Sequence, residues 1–183
     1  MPRIYADNAA TTKISQTAMK AMISAMENSY GNPSSIHQIG MAANDALQTA
    51  REQIARCLGC MPKEIFFTSG GTESDNQAIM SAAMLGAKQN KRHIISTAFE
   101  HHAVLHTLRR LKEQGFEIQL LDVGAEGNIT AAQVEEAIRP DTCLVTVMFA
   151  NNEIGSVLPI AEIGEACRAH GVLFHTDAVQ AAG

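Results

Sequence analysis

The fold is decided around residues 66–76, which read Phe66-Phe67-Thr68-Ser69-Gly70-Gly71-Thr72-Glu73-Ser74-Asp75-Asn76. The apolar run Ile65–Thr68 predicts a strand that enters this stretch, and Glu73–Leu85 has apolar residues at helical spacing. A glycine turn at a helix start lets backbone N–H groups approach an anion, which the helix dipole also favours. The stretch therefore predicts either a phosphate-binding turn, with the Thr72 hydroxyl as a further donor, or a tight turn that needs small residues. Neither the dinucleotide glycine pattern nor the P-loop ending is present.

Downstream of this turn the sequence alternates between predicted strands and helices. The stretch Cys143–Phe149 is nearly continuous in apolar character, as expected for a strand when helices cover both faces of a sheet. Such alternation predicts an α/β fold with a mostly parallel sheet and right-handed crossovers. The predicted strands are residues 65–68, 93–97, 117–122, 142–149 and 172–176, and the predicted helices are residues 73–85, 101–114, 130–138 and 159–170.

The amino-terminal part has a different pattern, and we divide the chain into a helical and extended segment at 1–60 and a large domain at 61–183. Ser15 is the predicted N-cap of a first helix, and a second helix is predicted at 37–58. A methionine stripe on the first helix favours packing in a core or a subunit interface; its residues are Met19, Met22 and Met26, with Ile23 among them.

Composition excludes several classes of protein. The 183 residues are 46% hydrophobic and 18% charged, which is typical of a globular protein. A net charge of -5 with no basic stripe argues against nucleic acid as the main partner. No apolar run is long enough to span a bilayer and no signal-peptide pattern opens the chain, so a cytoplasmic location is expected.

Four cysteines are too few and too scattered to predict a disulfide scaffold. Cys57 and Cys60 have the C-x-x-C spacing of metal and redox sites, but no second pair completes four zinc ligands. We interpret Cys57 and Cys60 as structural and Cys143 and Cys167 as packing residues; none of the four is a candidate nucleophile, and we predict no metal site.

Ligands of open parallel sheets bind beyond the carboxyl ends of the strands, and polar residues follow the predicted strands at those ends. Together they suit a phosphorylated aromatic ring with a basic nitrogen, because a buried carboxylate holds a pyridine nitrogen protonated, an imidazole stacks on a ring and amides bind a ring oxygen. Pyridoxal 5'-phosphate has that profile. Local explanations stay open: Asp177 and the histidines also suit helix starts, and the asparagines suit Asx turns. The residues are Gly71, Thr72, His101, His102, Asn151, Asn152, Asp177 and Gln180.

Six segments, in order, resemble the cysteine desulfurases of the NifS/IscS kind, which are fold-type I pyridoxal-phosphate enzymes of the class V aminotransferase group. The resemblance spans the whole chain but only the first half of the family pattern. It implies the fold-type I large domain, incomplete in this chain. The segments are Tyr5–Thr12, Gly31–Ser35, FTSGGTESDNQAI (67–79), EHHAVL (100–105), NNEIG (151–155) and HTDAVQ (175–180).

The resemblance also implies a role for each site residue. Gly71 and Thr72 would bind the cofactor phosphate, and His101 would stack on the pyridine ring and assist proton transfer. Asn152 would lie near the ring hydroxyl and the substrate carboxylate. Asp177 would pair with the pyridine nitrogen, and Gln180 would bind the ring oxygen.

The implied reaction converts L-cysteine to L-alanine and passes sulfur to an enzyme persulfide, for an iron-sulfur scaffold or another sulfur acceptor, in a homodimeric enzyme. The family's Schiff-base lysine, loop cysteine and substrate arginine lie downstream of HTDAVQ, so this chain alone is expected to be inactive. An isolated half would expose an unpaired strand edge and apolar faces, so it is also expected to be poorly soluble unless a partner covers them. Two alternatives remain: a non-catalytic half-domain that assembles with a separate carboxy-terminal half, or another class V enzyme such as a selenocysteine lyase.

Overall fold

The computed structural model describes residues 3–181, and the chain forms two compact units, Met1–Phe67 and Thr68–Gly183. The first unit contains α1 (Gln16–Asn28), α2 (Gln38–Leu58) and a 3-10 turn at Pro62–Glu64. The elements of the second unit, in order, are α3 (Gly71–Lys88), β1 (His93–Thr97), α4 (His102–Glu113), β2 (Glu117–Leu121), α5 (Ala131–Ala137), β3 (Thr142–Thr146), α6 (Ile160–Ala169) and β4 (Leu173–His175).

Local side-chain contacts set the ends of the first two helices. The Ser15 hydroxyl accepts from the Ala18 amide at 3.1 Å, so the predicted N-cap of α1 is confirmed. At the end of α2, Gly59 adopts a left-handed conformation, with φ at 66°, and Cys60 donates its N–H to the Ala55 carbonyl. The C-x-x-C pair therefore brackets a helix terminus. Cys60 is half-buried and Cys57 is exposed.

The second unit is built on a four-stranded parallel sheet in the order β2-β1-β3-β4. The chain moves from β1 outward to β2, and from β3 outward to β4 on the other side. The neighbours β1 and β3 therefore form a switch point, and the crevice beyond their carboxyl ends is where open α/β sheets bind ligands.

Helices cover both faces of this sheet, as the sequence predicts. On one face α3 and α4 bury a cluster that includes Ile79, Leu108 and Leu144. On the other face α5 and α6 bury a cluster that includes Val134, Val145 and Ile163. All residues of β1 and β3 are buried, polar ones such as His93 and Thr142 included, as expected for strands covered on both faces.

One predicted strand is wrong. Residues 65–68 are extended, but they belong to no strand among residues 3–181. The Arg51 guanidinium donates to the Ile65 carbonyl and lies 4.9 Å from the centre of the Phe67 ring, while Phe66 is 74% exposed. An apolar run predicts the extended conformation, but a strand also needs a hydrogen-bonded neighbour, which the run itself does not specify.

The other strands lie where the sequence predicts them: β1 has the predicted bounds, and β2, β3 and β4 are shorter than predicted. The prediction for 142–149 exceeds β3 by three residues, yet the chain stays parallel to β4 beyond it. Val147 donates its N–H to the His175 carbonyl, and Phe149 donates to the Asp177 carbonyl. Residues 147–149 therefore carry the sheet geometry into the site.

Candidate functional site

A cavity of about 520 Å³ lies at the switch point, beyond the carboxyl ends of β1 and β3. Its lining comes from the β1–α4 connection, the loop after β2 and the loop after β3. Four residues named from the sequence line this cavity: His101, His102, Asn151 and Asn152. The sheet therefore brings an imidazole and an amide to one hollow.

His101 is the N-cap of α4. Its Nδ1 accepts from the Ala103 amide at 3.1 Å, so the ring is fixed with Nδ1 as an acceptor. The side chain remains exposed, which leaves the ring face accessible. The predicted helix-start role is confirmed, and it is compatible with stacking because a cap uses only one ring nitrogen.

The two asparagines of the loop after β3 have different environments. Asn151 is 6% exposed, and its Nδ2 donates to the Phe99 carbonyl at 3.0 Å. Its Oδ1 accepts from the amides of Glu153 and Ile154 at 2.9 and 3.0 Å. Asn151 therefore shapes the loop as an Asx turn, and both it and half-buried Asn152 line the cavity.

The start of α3 lies in the predicted phosphate-binding turn. The helix begins at Gly71, and the N-cap Gly70 provides no side-chain cap. Glu73 accepts from the Ser69 amide at 2.7 Å and the Ser69 hydroxyl at 2.6 Å, and the hydroxyl contact is the main cause of its lowered pKa. Thr72 is exposed, and no side chain caps the start of this helix. The Thr72 hydroxyl and the first-turn amides therefore suit an anion.

A close approach joins this helix start to the segment after β4. A Cβ added to Gly71 would lie 2.9 Å from Val179 Cγ2, so a larger residue there would require the Val179 side chain to shift. Asp177 is 8% exposed, and its Oδ1 accepts from the Val179 amide at 3.0 Å. Gln180 follows at an exposed position. The start of α3 therefore contacts the turn that contains Asp177.

The predicted residues thus form two groups. His101 and Asn152 line the cavity of about 520 Å³, whose lining does not include Thr72, Asp177 or Gln180. Gly71 and Asp177 are joined instead through Val179.

Glu100 is a buried carboxyl group that sequence reasoning missed. It is 4% exposed, and its Oε1 accepts from the Thr97 hydroxyl at 2.5 Å and the Met148 amide at 3.1 Å. Burial raises the pKa of Glu100 to about 7, with a smaller contribution from the charge of Asp177. The sequence signal that could have identified Glu100 was its position directly before His101, the N-cap of α4.

A second missed group links three elements beneath the site. His175 Nδ1 lies 2.8 Å from the Thr146 hydroxyl, and His175 Nε2 lies 3.5 Å from Oδ1 of the buried Asp75. These contacts connect β3, β4 and α3. Asp75 and His175 both belong to segments that carry the family resemblance. The sequence signal for this group was a polar residue at a position that should be buried.

The residues present fit pyridoxal 5'-phosphate by the chemistry of their donors. An anion suits the uncapped start of α3, and a protonated ring nitrogen suits the buried carboxylate of Asp177, which contacts that helix start through Val179. Across residues 3–181, no three His, Cys, Asp or Glu side chains are placed to hold one metal ion. Within the same residues, no helix combines the length and apolar character needed to cross a bilayer.

Comparison with protein families gives one match over nearly the whole chain. The profile described as Aminotransferase class-V matches residues 4–183. A "Cysteine desulfurase IscS" from Methanosarcina thermophila is 48% identical over 180 residues, which are 98% of this chain and 44% of the relative.

Solved structures give the same result for the fold. A "NIFS-LIKE PROTEIN" superposes with a TM-score of 0.93 at 39% identity, over 98% of this chain and 49% of that chain. "SspA in complex with cysteine" superposes with a TM-score of 0.89 at 43% identity, over 94% of this chain and 50% of that chain. The predicted fold-type I large domain is confirmed, and the chain spans about half the length of the relatives it matches.

Proposed function

This chain belongs to the class-V aminotransferase family, and on that premise we propose that it supplies the ring- and phosphate-binding part of a pyridoxal-phosphate-dependent cysteine desulfurase. The observation that carries the proposal is the contact between the uncapped start of α3 and the turn that holds buried Asp177. An anion site and a buried carboxylate on neighbouring backbone segments match the two charged ends of this cofactor.

Each residue acts through its own chemistry. The amides of Gly71 and Thr72, with the Thr72 hydroxyl, bind the phosphate. The Asp177 carboxylate accepts a hydrogen bond from the protonated ring nitrogen and so keeps that nitrogen positively charged. Gln180 hydrogen-bonds the ring oxygen through its amide. When bound, pyridoxal phosphate supplies an electron sink for chemistry at the amino-acid α-carbon.

The cavity residues act on the other side of the ring. His101 stacks on the ring face and holds a proton at Nε2, because Nδ1 is occupied as the acceptor of the α4 cap. Asn152 orients the ring hydroxyl and the substrate carboxylate through its amide. Asn151 fixes this loop through its three backbone contacts.

The proposed substrate is L-cysteine, and the proposed products are L-alanine and a persulfide. The sulfur would pass to an acceptor such as an iron-sulfur scaffold protein, in the cytoplasm. The names of the relatives support this substrate: several are cysteine desulfurases, and SspA has been solved in complex with cysteine. A lysine for the cofactor aldehyde, a thiol nucleophile and an arginine would come from polypeptide outside these 183 residues, and the active unit would be a homodimer.

The proposal is tested by supplying the missing length. The chain is co-expressed with the part of the Methanosarcina thermophila relative that lies beyond the matched region, and co-purification establishes assembly. The complex is expected to bind pyridoxal phosphate and to release sulfide from L-cysteine in the presence of a thiol reductant. Asp177→Asn is expected to lower the rate on the order of 100-fold, as for removal of one preorganised charge.

Asp122→Asn is the matched control. Asp122 also follows a strand and accepts from the amide two residues later, at 2.9 Å, but it is exposed, so the rate should not change. An assembled complex that binds no cofactor, or one whose rate is insensitive to Asp177→Asn, would contradict the proposal. Turnover of L-selenocysteine without L-cysteine would instead identify a selenocysteine lyase.

A further inference from the structure

Thr107, in the second turn of α4, joins that helix to α3 by hydrogen bonds. The residue is 4% exposed, and its hydroxyl oxygen lies 2.6 Å from Asn76 Oδ1 in α3 and 2.8 Å from the Ala103 carbonyl oxygen in its own helix. Both partners are acceptors, so the Thr107 hydroxyl is the donor and shares its single proton between them.

Asn76 extends this contact to the predicted phosphate-binding turn. Its Nδ2 donates to the Thr72 carbonyl at 2.6 Å, while its Oδ1 accepts from Thr107. The opposite orientation of the amide would place its oxygen against the Thr72 carbonyl oxygen, and both of those atoms are acceptors. The half-buried Asn76 side chain therefore ties the backbone of Thr72 to α4 in one defined orientation.

The same contacts lead on to His101. The carbonyl of Ala103 accepts from Thr107, and the N–H of Ala103 donates to His101 Nδ1 at 3.1 Å. A path of hydrogen bonds and backbone therefore runs from Thr72 through Asn76, Thr107 and Ala103 to the imidazole that lines the cavity of about 520 Å³. It connects one predicted phosphate-binding residue to the predicted ring-stacking residue.

Apolar packing by itself already holds α3 and α4 together, through a cluster that includes Ile79 and Leu108. Apolar contacts have no preferred direction, whereas a hydrogen bond requires a short distance and a narrow range of angles. The polar path therefore adds to the packing a fixed register and rotation of α4 against the start of α3.

We propose that Asn76 and Thr107 are positioning residues that hold His101 at a fixed distance and direction from the phosphate-binding start of α3. The role toward a cofactor rests on the function proposed above, whereas the hydrogen-bonded path rests on this chain alone. A ligand that carries a phosphate and a ring in one molecule needs both subsites at one spacing, and the path supplies it. A ligand that occupies one subsite does not depend on that spacing.

The test compares three ligands on the 183-residue chain by ¹⁵N chemical-shift titration: inorganic phosphate, pyridoxine and pyridoxine 5'-phosphate. The last two lack the aldehyde of pyridoxal, so they cannot react with surface lysines. Thr107→Val removes the donor at nearly the same volume and should weaken the binding of pyridoxine 5'-phosphate roughly 10-fold, a usual coupling between two sites. Inorganic phosphate and pyridoxine should each keep their wild-type affinity. Asn76→Ala should give the same pattern.

Two variants are the matched controls. Thr107→Ser keeps the hydroxyl and should retain the wild-type affinity for pyridoxine 5'-phosphate. Thr49→Val removes an exposed hydroxyl from α2 and should also leave that affinity unchanged. If Thr107→Val binds pyridoxine 5'-phosphate as tightly as the wild type, or loses affinity equally for all three ligands, the proposal is overturned, because the path would then contribute only to packing.

Urea unfolding measures the path without a ligand, in the wild type, Asn76→Ala, Thr107→Val and the double variant. The effects of the two substitutions should be non-additive, since each removes the same hydrogen bond. Additive effects would overturn the proposal. If the effects are non-additive but the wild type binds pyridoxine 5'-phosphate no more tightly than inorganic phosphate, the path stands, and the proposed function fails together with the role of the path toward a cofactor.

Discussion

At the scale of single residues, His93 shows how a buried polar side chain can be satisfied within a sheet. Its imidazole has no exposed surface, and its two nitrogens lie 2.8 Å from the Thr142 hydroxyl and 3.1 Å from Gln119 Oε1. Burial lowers the pKa of His93, and the charge of Arg139 adds to this effect. The side chain therefore joins β1 to both of its neighbours in its neutral form.

We therefore predict that the free energy of unfolding depends on pH through His93. The unfolded chain takes up a proton at His93 below about pH 6.5, and the folded chain resists it, so this contribution is present above that pH and lost as the pH falls. We expect the stability difference between the wild type and His93→Gln, measured by urea unfolding, to be larger at pH 7.5 than at pH 5.5. An equal difference at both values would contradict a neutral buried imidazole.

The candidate site shows how far residue patterns reach. His101, Asn152 and Asp177 were predicted because polar residues after strands meet at one edge of a parallel sheet, and the structure places the first two at one cavity and Asp177 beside the start of α3. The partition of roles between Asn151 and Asn152 was not predictable, since both are short amides in a loop. Glu100 and His175 were missed because their importance comes from burial against residues distant in sequence, at Met148 and Asp75.

At the scale of elements, the packing of α3 on β3 depends on one helical glycine. A Cβ added to Gly86 would overlap the Cys143 Cβ and lie 2.9 Å from its Sγ. Cys143 and Cys167 are buried at 5% and 0% exposure, as their interpretation as packing residues predicts. Burial raises the pKa of both thiols, that of Cys167 to about 11.

Two glycine substitutions test this contact. Gly86→Ala gains helix propensity but overpacks the core, and we expect a net loss of about 1–3 kcal/mol in the free energy of unfolding. Gly164→Ala in α6 is the matched control, because its Cβ would lie 3.4 Å from the Phe174 ring, an ordinary contact. It should be neutral or stabilising by up to about 1 kcal/mol. Equal effects in urea unfolding would argue against close packing at Gly86.

Elements differ in how well the sequence predicts them. The central strands β1 and β3 are buried on both faces around apolar residues such as Ile94, Ile95 and Val145, and the first residue of each was predicted correctly. The run Ile65–Thr68 has the same apolar character but no strand partner among residues 3–181. Composition encodes burial, whereas membership of a sheet depends on a second segment.

At the scale of the whole molecule, the fold leaves a large amount of apolar surface exposed. No residue of α1 is buried, and its apolar stripe is exposed, from 39% at Met19 to 70% at Met26. Contiguous apolar surface of this kind marks protein contacts. The strands β2 and β4 are also sheet edges, with Leu120 and Leu173 about half exposed.

We therefore expect the isolated chain to self-associate. Light scattering should show species larger than a monomer, and Ile23→Gln with Met26→Gln should reduce their fraction by removing apolar surface from α1. Lys20→Gln with Glu27→Gln is the control, since it changes two polar positions of the same helix with no change in net charge. A stable monomer for the unmodified chain would contradict this prediction.

The central claim is that one chain segment binds the phosphate, another the ring nitrogen and a third the ring face of the same molecule. Its most direct measurement is amide chemical-shift mapping of the ¹⁵N-labelled chain with pyridoxal 5'-phosphate and, separately, with inorganic phosphate. Phosphate alone should shift Gly71 and Thr72. Pyridoxal phosphate should also shift His101, Asn152, Asp177 and Gln180, all with one affinity. Shifts confined to Gly71 and Thr72 with both compounds, or none with either, would contradict the account.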